Sequence, residues 1–179
     1  MTKRHLTRAL AALAIATTAV VAPGYAVAAL ADSAAETGPT SIVEDYAYPG
    51  AAGILAQQNI KVISGNGQLL LIDCTVPATG DYGYIRVRSA KSEVGQSGQF
   101  CLKASSLRGV INVEVPEVYS VRSDGLTLGA GHPTTATWRV GDGAPQSDSV
   151  PLGGILPMGI GTGDTSPPAT LLQLVVNGS

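Results

Sequence analysis

The sequence predicts a mainly β fold, an antiparallel β-sandwich or partly closed barrel of about eight strands with one short helix near its beginning. Three observations carry this. Short runs rich in branched and aromatic residues recur roughly every 8 to 12 residues from Ile60 onward, divided by Gly, Pro, Ser or Asp. Apolar and polar residues alternate within them, as in Ile111, Val113 and Val115 or Ala136, Trp138 and Val140, so each strand has one buried and one wetter face. Apolar residues at the helical interval occur convincingly in one later stretch, close to Pro49.

Residues 1–31 read as a secretory signal peptide. Lys3, Arg4 and Arg8 form a positive start, Leu10 to Val21 an apolar run, and Ala29-Leu30-Ala31 a small-x-small cleavage site. Thr17, Thr18, Pro23 and Gly24 break the run, which suits a signal better than a membrane span. Residues 32–41 are a polar lead with Gly38 and Pro39, expected to be flexible, and residues 42–179 form a single β-domain.

Within that domain, Pro49 to Asn59 predicts the helix. Pro49 suits a first turn, Asn59 suits a stop, and Ile54 and Leu55 should lie on the rest of the fold, because so short a helix is marginal alone. Ile60 to Ser64 and Gln68 to Cys74 flank Gly65-Asn66-Gly67, a hairpin signal. Tyr84 to Ser89, Gln99 to Ala104, Val110 to Val115, Val118 to Arg122, Thr134 to Val140 and Leu171 to Val176 read as further strands. The stretch from Gly141 to Pro168, dense in Gly, Pro, Ser and Asp, reads mostly as loop with a weak strand at Ser147 to Leu152.

Composition excludes some classes of function. Export removes three of the 11 basic residues and none of the 13 acidic ones, leaving 8 against 13, a charge of −5 with His132 neutral. Nucleic acid needs a concentrated positive field and is not expected as a partner. After signal cleavage no segment qualifies as a membrane span, so no membrane partner is expected and the product is expected to be secreted and extracellular. Cys74 and Cys101 are the only cysteines, and an oxidising compartment predicts a disulfide between them. Their spacing lacks the close pair that redox chemistry uses.

The run from Ile42 to Ala52, the Gly65-Asn66-Gly67 turn and the end from Thr170 to Leu174 resemble a group of small secreted β-domain proteins of actinobacteria that has no established activity. The resemblance implies a folded, exported domain and carries over no functional residue.

Candidate sites are few. A Ser-His-Asp hydrolase would have to use His132, which sits between glycines and Pro133 in an apparent turn before a strand, where a histidine is usually solvated or bonded to backbone. Glu44 with Asp45, or Glu114 with Glu117, could suggest a glycosidase pair. Neighbours on a strand point apart, however, and Glu114 and Glu117 flank Pro116 at an apparent hairpin corner, so structural roles fit both pairs better. Asp142, Asp148 and Asp164 match no calcium-loop spacing, so neither a metal nor another cofactor is expected. The most distinctive pattern is Tyr82, Tyr84, Arg86 and Arg88, which period two places on one face while Ile85 and Val87 take the other. An aromatic and basic stripe on an acidic protein suits stacking on sugar rings and pairing with carboxylate or phosphate, but an ordinary outer face whose arginines pair with Asp or Glu on the next strand is the favoured reading of the two. The reading is a secreted, non-enzymatic binding module for an extracellular glycan, wall polymer or exported protein; the alternative is a small secreted hydrolase using His132.

Overall fold

The computed structural model describes residues 47–78, 80, 82–163 and 165–178. The signal segment, the polar lead, Glu44, Asp45 and Asp164 lie outside the described residues. What is described is mainly antiparallel β with a single α-helix, as the alternation predicts.

The helix, α1, spans Ala51–Gln58. It starts from Gly50 at φ 75 and ends at Asn59 at φ 55, whose N–H bonds the Leu55 carbonyl at 3.0 Å, so the left-handed residue that stops it is the asparagine. Ala51 and Ile54, one turn apart, pack on the core. Leu55 does not, and this corrects the expectation: one residue further round the helix, it stays 46% exposed.

The strands are β1 (Lys61–Gly65), β2 (Leu69–Ile72), β3 (Ile85–Ser89), β4 (Gln99–Ala104), β5 (Arg108–Arg122), β6 (Thr134–Val140), β7 (Gln146–Val150), β8 (Ile155–Pro157) and β9 (Ala169–Asn177). They form one sheet in the order β2-β4-β3-β5-β9-β6-β7, with β1 and β8 also paired to β5. The sheet does not close into a barrel.

β5 organises the sheet. It is one strand of 15 residues where the sequence suggests two, and Pro116 and Glu117 form an irregularity inside it, not a hairpin corner. Proline supplies no N–H and Glu117 sits at φ 54, so the ladder shifts register there. Before this point β5 pairs with β1 and β9; beyond it Val118 still meets Ala169 of β9, and the strand pairs with β3 and β8. The Pro116 carbonyl accepts from Ser89 Oγ at 2.8 Å and the Glu117 carbonyl from Ala90 N at 2.9 Å, which secures the pairing with β3.

Gly65-Asn66-Gly67 is likewise a turn but not a hairpin, because β1 pairs with β5 while β2 pairs with β4. Asn66 explains the divergence. Its side chain accepts from Val110 N at 3.0 Å and Gln68 N at 3.2 Å and donates to the Arg108 carbonyl at 2.9 Å, so the turn is stapled to the start of β5.

The stretch from Gly141 to Pro168 holds more structure than its composition suggests. β7, β8 and a short 3-10 helix at Gly159–Thr162 occupy it. β7 shows no apolar alternation because, of its five residues, Val150 alone is buried. The core gathers Ile85, Val87, Phe100 and Leu102 with Ile111, Val113, Val115, Trp138, Leu171 and Leu174. Tyr48 enters it ahead of the helix, its hydroxyl donating to the Leu69 carbonyl at 3.1 Å and accepting from Leu71 N at 3.0 Å. Cys74 and Cys101 form the predicted disulfide, with Cα atoms 5.2 Å apart.

Candidate functional site

The alternation of β3 has a direct consequence. Ile85 and Val87 are buried, while Arg86, half-buried, and Arg88, exposed, face the other way. Antiparallel pairing sets Arg86 opposite Arg122 and Arg88 opposite Ser120 on β5. Two like charges directly opposite one another destabilise a sheet pair, so the arrangement favours an anion placed between them. A hollow of about 40 Å³ lies among Arg86, Arg88, Ser120, Arg122 and Ile155.

Next to it lies a larger cleft of about 180 Å³. Arg86, Arg122, Ser123 and Asp124 line it, together with Cys74, Val76 and Ala78 from the segment after β2 and Leu126 from the segment after β5. The first of these segments is held in several ways. The disulfide ties Cys74 to β4, and Cys74 N donates to Gln96 Oε1 at 3.2 Å. Asp73 accepts from Thr75 N and from its hydroxyl, both at 2.7 Å. The backbone N–H of Thr75, followed by its hydroxyl, holds the Asp73 carboxyl below the usual carboxylate range. The Tyr84 hydroxyl donates to the Pro77 carbonyl at 2.8 Å, closing the same segment over the start of β3.

Two cleft-lining residues carry buried polar atoms without partners. Arg86 Nε and Ser123 Oγ find no hydrogen-bond acceptor or donor, and Ser123 is 1% exposed. A third such atom, Arg139 Nε, belongs to a residue that does not line the cleft and has Glu114 3.9 Å from its guanidinium. Leaving a polar atom buried and unpaired costs about 1–3 kcal/mol. The ion pairs among the described residues are Lys61–Glu114 at 2.6 Å, Lys91–Glu117 at 3.2 Å, Arg139–Glu114 at 3.9 Å and His132–Asp124. None engages Arg86, Arg88 or Arg122.

Asp124 lines the cleft, but its carboxylate is already committed. It is 2% exposed and accepts from the backbone N–H of His132 at 2.8 Å, while its other oxygen meets His132 Nδ1 at 2.5 Å. His132 is therefore buried and bonded to a carboxylate, which corrects the expectation of a solvated or backbone-bonded turn histidine. Tyr82 covers it, with ring centroids 4.2 Å apart. Glycine permits this closure: Gly131 has φ +114 and packs against Gly125. Among the described residues no serine or threonine hydroxyl bonds the other ring nitrogen.

The four residues of the stripe thus take different positions. Tyr84 and Arg86 line the larger cleft, Arg88 lines the smaller hollow, and Tyr82 lies on His132 beside them. Both tyrosines precede β3, and Gly83 N between them is held by the Asp124 carbonyl at 2.6 Å. Sequence reasoning missed Arg122, Ser123 and Asp124. The acidic candidates serve the fold, since Glu114 pairs with Lys61 and Glu117 with Lys91. Of the aspartates considered for calcium, Asp142 lies in the turn between β6 and β7 and Asp148 on β7, both exposed; no group of three potential metal ligands occurs among the described residues.

Neither the known protein-family models nor the curated proteins contain a match to this chain. The site therefore rests on its own geometry.

Proposed function

We propose that this protein is a secreted, non-enzymatic binding module that seats an acidic extracellular glycan or wall polymer on the face formed by Arg86, Arg88 and Arg122. The observation that carries the reading is the register of β3 against β5, which brings three guanidinium groups together with no acidic partner within ion-pairing distance among the described residues. Guanidinium forks pair bidentately with carboxylate or phosphate, and Tyr82, 45% exposed beside them, can stack on a sugar ring. The alternative, a hydrolase using His132, has an orienting acid in Asp124 but no hydroxyl nucleophile on the second ring nitrogen among the described residues.

The test is capture of the exported protein by cell-wall material and by a soluble acidic polysaccharide, with Arg88→Ser/Arg122→Ser as the variant. Both residues are exposed, so their replacement leaves the fold intact. Capture should fall with ionic strength and fall again in the variant. Capture unaltered in the folded variant refutes the arginine face as the contact, and hydrolysis abolished by His132→Ala in a folded protein would establish the alternative.

A further inference from the structure

The arginine face has an apolar rim. Among the described residues, ten large apolar side chains are exposed, and six of them, Val76, Tyr82, Leu126, Leu128, Leu152 and Ile155, belong to the three segments around the cleft. Scattered single leucines would need no explanation, but this concentration does. Contacts join the segments. Leu126 and Val76 line the cleft with Arg86 and Arg122, and Ile155 lines the hollow and pairs in register with Arg122. Gly129 N donates to the Leu152 carbonyl at 2.9 Å, which places Leu128 next to Leu152. Leu128 is 86% exposed, on a loop whose base is closed by the Asp124–His132 pair.

A hydrated polymer engages the arginines alone, and the exposed leucines beside them suit a ligand that also offers an apolar layer. An anionic lipid surface explains both, because headgroups supply the charge and the boundary with the acyl region accepts the side chains. We infer that this face docks on a lipid surface bearing anionic headgroups, with Arg86, Arg88 and Arg122 at headgroup level and the adjacent Leu128 and Leu152 inserted. The inference rests on the arginine reading above only in that this face takes anionic groups, and it adds lipid headgroups to the glycan as a second source of them. No helix among the described residues is long and apolar enough to cross a membrane. Neighbouring charges are compatible with the docking. Asp124 is paired internally with His132, and Asp73 beside Cys74 is held by Thr75.

The experiment is sedimentation of the exported protein with phosphatidylcholine vesicles, with and without phosphatidylglycerol, alongside capture by soluble polygalacturonate. The parent is compared with Leu128→Ser/Leu152→Ser, two exposed residues that line neither the cleft nor the hollow, and Arg88→Ser/Arg122→Ser. Binding to the anionic vesicles should exceed binding to the neutral ones, drop about fivefold for each arginine removed and at least about tenfold for the leucine pair. The leucine variant should capture polygalacturonate as the parent does. If the leucine variant keeps full vesicle binding, or the parent takes polygalacturonate but not anionic vesicles, the lipid inference fails and the arginine reading stands. If the parent binds neither, both fail. Near-ultraviolet circular dichroism of each variant excludes misfolding as the cause, since all four side chains are exposed.

Discussion

Removing the disulfide by Cys74→Ala/Cys101→Ala should lower the stability of the domain by a predictable amount. The bond joins residues separated by 27 in sequence, and a loop of that size restrains the unfolded chain by about 3.5 kcal/mol in the entropy model. A domain of this size unfolds with roughly 2.1 cal/mol/K of entropy per residue, so 3.5 kcal/mol corresponds to a melting temperature lower by about 10–15 °C. Calorimetry of the parent and the double variant, each fully folded at the start, measures this. The structure adds a local expectation. Cys74 lies in the segment that walls the cleft, whereas Cys101 is fully buried in β4, so the loss should be felt first at the cleft. Hydrogen exchange from Cys74 to Ala78 should speed up in the variant well below its melting temperature, while exchange along β6 and β9 is unchanged. A shift under about 3 °C would refute the loop-entropy argument, and uniform acceleration along all strands would refute the local one.

Asn66→Ala removes one acceptor that serves two backbone N–H groups and one donor to a carbonyl, and should cost about 1–2 kcal/mol in chemical denaturation; a neutral result would mean the turn needs no staple from β5. Asp124→Ala leaves the His132 N–H and Nδ1 without their buried partner and should cost about 3 kcal/mol by the same measurement, whereas full stability would show the pair contributes nothing to the loop. Lys61 hydrogen-bonds Glu114, and that bond, then its charge, holds the Glu114 carboxyl below the usual range; its contribution is thus present above that range and lost as pH falls through the lowered value. Glu114→Gln should therefore flatten the acid limb of a stability–pH profile and leave its alkaline side unchanged, and a change confined to alkaline pH would overturn the assignment. Intact-mass analysis of exported protein should show that Met1 is gone and the chain begins at Asp32, or at Ala29 if the earlier small-x-small site Ala26-Val27-Ala28 is cut; retention of Met1 removes the signal reading.

The strands legible in the sequence are those with one buried face. Gln99–Ala104 and Thr134–Val140 coincide residue for residue with the observed β4 and β6, because alternation and bounding turn residues agree there. β7 and β8 carry too few buried side chains to write a pattern, and pairing with β6 and β5 makes them strands. The two misread turns share one cause. Asn66-Gly67 and Pro116-Glu117 have the local chemistry of chain reversal, but partner choice belongs to the sheet: the backbone of β5 bonds the Asn66 side chain, and the Ser89 hydroxyl and Ala90 N at the end of β3 bond the Pro116 and Glu117 carbonyls.

The site was half visible for a related reason. Period two along one strand reveals that Arg86 and Arg88 share a face, since that requires only the geometry of the strand itself. Arg122 is 36 positions from Arg86 in sequence, and nothing local to either residue announces that β3 and β5 are neighbours in register. The same holds for Asp124 and His132, which are close in sequence yet meet only because Gly131 adopts a positive φ and folds the loop back on Gly125. Cross-strand register thus turns an ordinary outer face into a concentration of positive charge on a chain whose composition is acidic. That local sign reversal, more than any single side chain, is the physical reason to look for an anionic partner at this face, and it is removed by Arg88→Ser/Arg122→Ser while the core residues Ile85, Val87 and Val121 that position the face stay buried.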